Sequence, residues 1–321
     1  MMGYSIEDGS LLEKDEALSR EPSLSKATMC PACTSPQVLE TVEIPDHEYG
    51  LDYLARYAAC RECNSLYQSP MPSDSELASF YRQNYHSMSD GGFLMRMRHK
   101  MRIQRLKTLL NGSGAVLDYG CGNGSFMRRA AAAIPNVEFI GYEIGNHTQV
   151  TRPAERVTIV QGGPADLFEV LSPCQVIIMN HVIEHLPDPF AIVSALAKKL
   201  IPGGCFDGQT PNAASLEHRI FGLRWSGFHA PRHTVVFSVA GLRSLLQRAG
   251  FESVSVKGAF NPAGYAVSFA SLPHGHAKGM IPRHGLKWLI CIAAATVVLP
   301  VDVWSGAPGM IDFKARKKGD N

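Results

Sequence analysis

The sequence has little charge imbalance: 31 Lys and Arg stand against 29 Asp and Glu in 321 residues. A net charge of +2 leaves no electrostatic footprint for wholesale nucleic-acid binding. The sequence also shows no apolar run of the ~20 residues that a bilayer-spanning helix takes. Its apolar stretch Trp288–Val301, flanked by Lys287 and Asp302, counts 14. A basic stretch followed by an apolar run is missing from Met1–Ala27, which is polar and acidic, so a secretory signal is not expected there. The expectation is a cytoplasmic protein whose membrane contact, where it has any, is peripheral and runs through Trp288–Val301. In that compartment thiols stay reduced, and the eight cysteines read as metal ligands or buried apolar residues before disulfides.

What is present is globular: 45% apolar and 19% charged residues, long enough for one large domain and a smaller module. Residues 1–27 lack periodicity and read as a flexible leader. Cys30-Pro-Ala-Cys33 and Cys60-Arg-Glu-Cys63 then supply two C-x2-C knuckles. Four thiolates can close a tetrahedron around Zn²⁺, and a segment as small as 28–72 has too little core to fold well without such a tie. With four cysteines the ion has no open position, so it holds structure. Val38–Ile44 and Leu51–Ala59 are the candidate hairpin strands of this ribbon. After the prolines at 70 and 72, Ser73 caps a helix running through Tyr85, with Glu76 at the capping-box position. The basic Phe93–Leu110 follows, its Phe93, Met97, Met101, Leu106 and Leu110 at helical spacing, its arginines and lysines read as the solvated face of a helix covering the cofactor cleft, against a face for an anionic lipid surface or a phosphorylated substrate.

Val116-Leu-Asp118-Tyr119-Gly120-Cys-Gly122-Asn-Gly124-Ser-Phe126 organises the remainder. A short apolar run, three glycines at alternate positions and a helix-permissive segment read as strand, tight loop and helix, where a nucleoside-like ligand can approach the backbone. The spacing is not the G-x-G-x-x-G of a dinucleotide site. An acid ahead of the glycines suits a cofactor bearing a cationic amino group. D-x-G-x-G-x-G resembles motif I of class I S-adenosylmethionine-dependent methyltransferases.

That resemblance implies a Rossmann-like α/β fold: a doubly wound, mostly parallel, seven-stranded sheet over residues 73–270. Strands are expected at Ala115–Tyr119, Val137–Tyr142, Val157–Val160, Gln175–Met179, Cys205–Gln209 and Val254–Lys257. It also implies a cofactor set of Asp118, Tyr119, Gly120, Gly122, Gly124, Glu143, Gly163, Asn180 and His181. Glu143 closes the second strand 19 residues after Gly124, where a carboxylate accepts both ribose hydroxyls. Gly163 stands where similar enzymes place an acid for the adenine, with Asp166 offset, so a backbone contact is expected.

His181-Val-Ile-Glu184-His185-Leu-Pro-Asp188-Pro189 resembles the h-x-x-E-H-x-x-D-P segment of ubiquinone-type and sugar-type methyltransferases, and Trp225–Ser238 a W-x-G-x-x-x-P-R-H-x-x-x-F-S loop of bacterial members. Glu184, His185, His229 and His233 are the candidates to orient or deprotonate an acceptor hydroxyl, against a role in bracing their loops. Arg232 is the candidate for an acceptor phosphate or carboxylate. No further ligand set accompanies Glu184 and His185, and no metal is expected there.

Residues 271–321 read as an apolar helical extension, packed in the core, in a dimer or on a membrane, with a basic tail; Met310–Arg316 alternates like a returning strand. Together the knuckles and motifs resemble zinc-ribbon-bearing bacterial methyltransferases of sugar, polysaccharide or natural-product pathways. The resemblance implies S-adenosylmethionine and structural Zn²⁺ as cofactors and O-methylation of a small-molecule, sugar or lipid-linked acceptor. The rival classes are an RNA-binding or RNA-methylating zinc-ribbon protein, disfavoured by the charge, and a non-catalytic cofactor-binding scaffold.

Overall fold

The computed structural model describes residues 29–81, 93–145, 147–259, 261–272 and 284–319. The expected leader and residues 82–85 lie outside the described residues, and the helix expected to reach Tyr85 ends at Phe80, where Tyr81 turns extended. Both knuckles are built alike. Cys30 N–H bonds Ser35 O and Cys60 N–H bonds Ser65 O, while Thr34 N–H returns to Cys30 O and Asn64 N–H to Cys60 O. The residue after each second cysteine, Thr34 or Asn64, takes positive φ, which tightens the turn. Strands β1 (Val38–Pro45), β2 (Leu54–Cys60) and β3 (Leu66–Gln68) pair antiparallel around them.

The large sheet begins at β4 (Gly114–Tyr119) and adds β5 (Val137–Ile144), β6 (Gln149–Ala154), β7 (Val157–Gly162), β8 (Cys174–Asn180) and β9 (Leu200–Pro211). The ribbon sheet is completed by β10 (Val235–Val236), a strand of the aromatic loop that pairs with β3. The large sheet ends with β11 (Phe251–Ala259) and β12 (Met310–Lys317), giving the order β11-β12-β9-β8-β4-β5-β7-β6. The five central strands are parallel; β12 enters antiparallel between β9 and β11. The fold is thus the expected Rossmann-like α/β one, with eight strands where seven were expected. The addition is β6, whose residues are nearly all exposed and carry no apolar alternation for a sequence reading to detect.

Alternate residues of β4 divide the core. Leu117 and Tyr119 face one cluster with Ile177, Met179, Phe206 and the ribbon cysteines, while Val116 faces Phe139, Val176 and the two helices on the other side. Those helices are α2 (Phe93–Lys107) and α3 (Ser125–Ala133), reached after α1 (Asp74–Phe80), which carries the expected Ser73–Glu76 capping box. Fully buried side chains such as Met127 and Leu106 contribute roughly 1.5–3 kcal/mol each. On α2 the buried stripe is His99, Ile103 and Leu106, continued by Leu109 in the turn that follows, whereas Met97 and Met101 are exposed. Its cations are not all solvated: Arg102 and Arg105 are half-buried, and Arg98, though exposed, reaches the ring of His181. Arg105 bridges Asp207 at 2.7 Å and Asp312. Around the sheet run α4 (Pro164–Val170), α5 (Pro189–Lys199), α6 (Leu216–Phe221) and α7 (Val239–Arg248).

The ribbon and the large domain interlock at α7. Its N-cap Ser238 donates to Cys63 O, a Cβ on Gly241 would stand 2.1 Å from Ser65 Oγ, and Arg248 donates to Ala32 O at 3.0 Å. Between β11 and β12 the chain forms α8 (Pro262–Ser271) and α9 (Gly285–Trp304). One face of α9 packs on a buried cluster, with Ala295 inside it and Trp288, Cys291, Ile292 and Val298 against it, while the other face is exposed. Only 12% of Gly285–Asp302 is buried, and by length and composition this segment could cross a membrane. The apolar helix is longer than the 14-residue run because Gly285 and Leu286 extend one end and Asp302 and Trp304 the other. Asp302 is buried and its Oδ1 accepts from Tyr265 Oη at 2.8 Å.

Candidate functional site

Because β4 has parallel neighbours on both sides, the chain leaves it in opposite directions and a crevice opens at the carboxyl ends of the strands. The glycine loop fills its floor. A Cβ on Gly120, at φ +84°, would lie 2.3 Å from Val182 Cγ2, and one on Gly124, at φ +70°, 2.3 Å from Ile159 Cδ1. Both positions need glycine for conformation and for close approach. Gly120 and Cys121 donate to Tyr142 O at 2.8 and 2.9 Å. Gly122 donates to Glu143 Oε2 at 2.6 Å, which ties the loop to the acid at the end of β5. Burial raises the Glu143 pKa, with that N–H pulling it back.

Asp118 lies on the α2 face of β4, 3.7 Å from Arg102, whose guanidinium also sits 4.0 Å over the Phe126 ring. Burial pushes its carboxyl up to about 6, against the pull of Arg102. Tyr119 points to the opposite face, buried against Tyr142 with ring centroids 4.6 Å apart, so its side chain is core. Gly163 N–H is taken by Asp166 Oδ2 at 2.7 Å, and this explains the offset acid: Asp166 caps α4. Asn180 ends β8, and His181, at φ +55°, carries its ring to within 3.0 Å of Arg98 Nη2 and 3.1 Å of Gln209 Oε1.

One turn further on, Glu184, His185 and His233 meet. Glu184 is fully buried; Oε2 accepts from Thr210 Oγ1 at 3.0 Å, and Oε1 has no hydrogen-bond partner. That oxygen lies 3.7 Å from His181 Nδ1 and 3.9 Å from His233 Nε2. Burial raises the Glu184 pKa, but His181 and His185 outweigh it and leave the carboxyl below its ordinary value. His185 Nδ1 is 3.0 Å from Arg232 O and His233 Nδ1 is 2.8 Å from Gly227 O. A carbonyl only accepts, so each Nδ1 carries the proton and each Nε2 a lone pair. Burial lowers both pKa values, His185 to about 4, so both rings are neutral near pH 7.

His229 packs against both rings, with centroids 6.1 Å from His185 and 5.0 Å from His233. Its Nδ1 is 2.5 Å from Glu48 Oε2, a residue of the turn after β1. The same turn supplies Asp46, whose Oδ2 accepts from Arg232 Nη2 at 2.9 Å. Arg232 is 1% exposed, stacks 4.1 Å from the Tyr49 ring and donates to Phe80 O at 3.0 Å. It is therefore an internal cation with its counter-ion, and the expectation that it faces an acceptor anion is corrected. Arg98, Arg102, Glu48 and Tyr81, whose Oη lies 2.9 Å from His185 Nδ1, escaped the sequence reading. Only the four-residue spacing of the two arginines was visible in the sequence.

In the ribbon, Cys30 Sγ–Cys63 Sγ is 3.8 Å and Cys33 Sγ–Cys60 Sγ is 3.5 Å, and all four sulfurs lie within 4.8 Å of one another. Tetrahedral Zn–S bonds of about 2.3 Å set sulfurs about 3.8 Å apart, so the donor set fits such an ion.

Residues 94–256 match a family described as a methyltransferase domain. A curated relative from Mycolicibacterium smegmatis, named "Probable S-adenosylmethionine-dependent methyltransferase", is 34% identical over 170 residues, 53% of this chain. The chain spans 63% of that relative's length. Similar solved structures include a SAM-dependent methyltransferase from Archaeoglobus fulgidus, with 20% identity, coverage of 69% of this chain and 94% of that one, and a TM-score of 0.45. Another is phosphoethanolamine N-methyltransferase 2 of Haemonchus contortus with S-adenosyl-L-methionine, with 13% identity, 77% and 57% coverage and a TM-score of 0.46. The family match takes in half of the chain, including the glycine loop, Glu143, the Glu184–His185 turn and the aromatic loop, and on that match the chain belongs to the methyltransferase-domain family.

Proposed function

We propose that the protein transfers the methyl group of S-adenosylmethionine to an oxygen of a small-molecule, sugar or lipid-linked acceptor. The observation that carries this reading is the bond between Gly122 N–H and Glu143 at the crevice, with the buried acid Asp118 beneath it. When bound, the cofactor supplies a methyl group already activated by its sulfonium, so the chain's work is alignment and at most one proton transfer. Glu143 keeps Oε2 on the loop and offers Oε1 to ribose hydroxyls. Asp118 matches an ammonium, and Arg98, beside Asn180 and His181, matches a carboxylate. His229, its Nδ1 proton fixed by Glu48, presents Nε2 as the base for the acceptor hydroxyl.

The same reading takes Cys30, Cys33, Cys60 and Cys63 as ligands of a structural Zn²⁺. By fixing the ribbon, the ion would also fix the turn that carries Asp46 and Glu48. A lipid-linked acceptor reached from a membrane surface is favoured by the exposed Leu286, Leu289, Ile290, Val297, Val301 and Trp304 of α9. Incubation with methyl-labelled cofactor and lipid and small-molecule extracts tests the reading. Label should enter one fraction and be lost with Glu143→Ala. Intact cofactor binding with no label in any fraction would leave only a scaffold.

A further inference from the structure

Where the ribbon meets α8 there is a cleft that shares no residue with the glycine loop. Its walls are Ile44 and His47 at the end of β1 and in the turn after it, Arg224, Phe228 and His229 around the start of the aromatic loop, and Val267 of α8. It encloses about 20 Å³, room for one small group, and its open mouth brings the empty space to about 310 Å³. We propose that this cleft receives the anionic headgroup of an amphiphilic acceptor held in a membrane.

Three observations carry it. The cleft is walled by the residues that position the proposed base: Glu48, the acid of its lining, lies 2.5 Å from His229 Nδ1. On the proposed methyl-transfer reading, a hydroxyl that reaches in past the mouth meets His229, while the charged part of the headgroup stays at the mouth beside Arg224.

The outer wall is tied to the apolar hairpin. Arg224 Nη1 donates to Ser271 O at 3.0 Å and to Leu272 O at 3.3 Å, Ser226 N–H donates to Ser268 Oγ at 3.0 Å, and Ser226 Oγ to Gly264 O at 3.0 Å. Tyr265, near the start of α8, bonds Asp302, near the end of α9. The two helices therefore run antiparallel, and the end of α8 that borders the cleft lies beside the start of α9.

The exposed side chains at that end are apolar and cationic. Leu223, Leu272, Leu286, Leu289 and Ile290 stand with Lys287, and neither 218–224 nor 284–301 contains an acid. An apolar surface with cations among it fits an anionic bilayer, and it brings a headgroup phosphate or carboxylate to Arg224.

The test needs neither methyl donor nor turnover, so its failure leaves methyl transfer to a soluble acceptor standing. In the full zinc-saturated chain, Trp288→Phe and Trp304→Phe leave Trp225, a buried wall of the cleft, as the one tryptophan. Phosphatidylcholine vesicles with a small fraction of farnesyl phosphate should change its emission saturably. Vesicles with the same charge supplied by phosphatidylglycerol should bind the protein without that change, and inorganic phosphate alone should give none. Arg224→Gln should weaken the farnesyl phosphate response at least about tenfold. A silent Trp225 with farnesyl phosphate, an equal change with phosphatidylglycerol, or a change with inorganic phosphate alone overturns the site, as does an unaltered response in folded Arg224→Gln. The comparison of lipids on the unsubstituted cleft decides the matter even where Arg224→Gln fails to fold.

Discussion

Asp46→Asn isolates the most buried charge pair described in the protein. Asp46 Oδ1 accepts the N–H groups of Glu48 and Tyr49 at 3.0 and 2.8 Å, and an asparagine oxygen can keep both. Oδ2 accepts from Arg232 Nη2 at 2.9 Å and from Leu51 N–H at 3.3 Å, and there the substitution sets an amide N–H₂ against two donors. Arg232, with 1% of its side chain exposed, then keeps its charge without a counter-ion. Breaking one side of a buried pair costs about 3–5 kcal/mol. For a domain of this size that corresponds to roughly 6–20 °C in Tm. Urea and thermal unfolding of the zinc-loaded protein, followed by circular dichroism, measure it. Adding Arg232→Met removes the stranded cation, so the double variant should be more stable than Asp46→Asn alone. A single-variant loss below about 1 kcal/mol, the range of an exposed pair, or no recovery in the double variant refutes the reasoning.

Other perturbations have equally definite outcomes. Burial raises the Glu217 carboxyl from 4.5 to about 7, so the native state holds a proton that the unfolded chain releases. Stability should fall as pH climbs between those values and then level off. Glu217→Gln should therefore stabilise the protein by up to about 3 kcal/mol at pH 8 and leave it unchanged at pH 4.5, as pH-dependent urea unfolding would report. On the structural-zinc proposal, a strong chelator, or Cys60→Ser, should unfold 29–72 and expose Tyr57 and Trp225, seen as a red shift in fluorescence. Flotation with anionic vesicles should carry the wild type, whereas Leu289→Glu with Val297→Glu should cut co-flotation at least tenfold without changing Tm.

Local pattern made part of this architecture readable. The glycine loop, Glu143 at its strand end and the two knuckles each announce themselves within a few residues, because a tight turn or a tetrahedral ion dictates spacing. Partners set by long-range pairing left no such trace. Asp46 and Arg232 are 186 positions apart, and Glu48 and His229 are 181 apart; the pairing of β3 with β10 and the bonds of Tyr57 and Gln68 to the loop bring them together. Burial reversed the reading of Arg232, since a sequence shows its charge but not its counter-ion. It also turned the α2 face: Leu106 packs inward as its spacing implied, but beside Ile103 and His99, while Met97 and Met101 face out. His233 joined Glu184 and His185 for the same reason, 48 residues from the latter along the chain.

The central claim is that the Gly122–Glu143 corner holds S-adenosylmethionine. Isothermal calorimetry of the full chain with S-adenosylhomocysteine tests it most directly. Wild type should bind one equivalent, and Gly122→Val with Glu143→Ala should abolish the heat while the far-ultraviolet spectrum stays native. No heat from folded wild type, or unchanged affinity in the folded double variant, would contradict it.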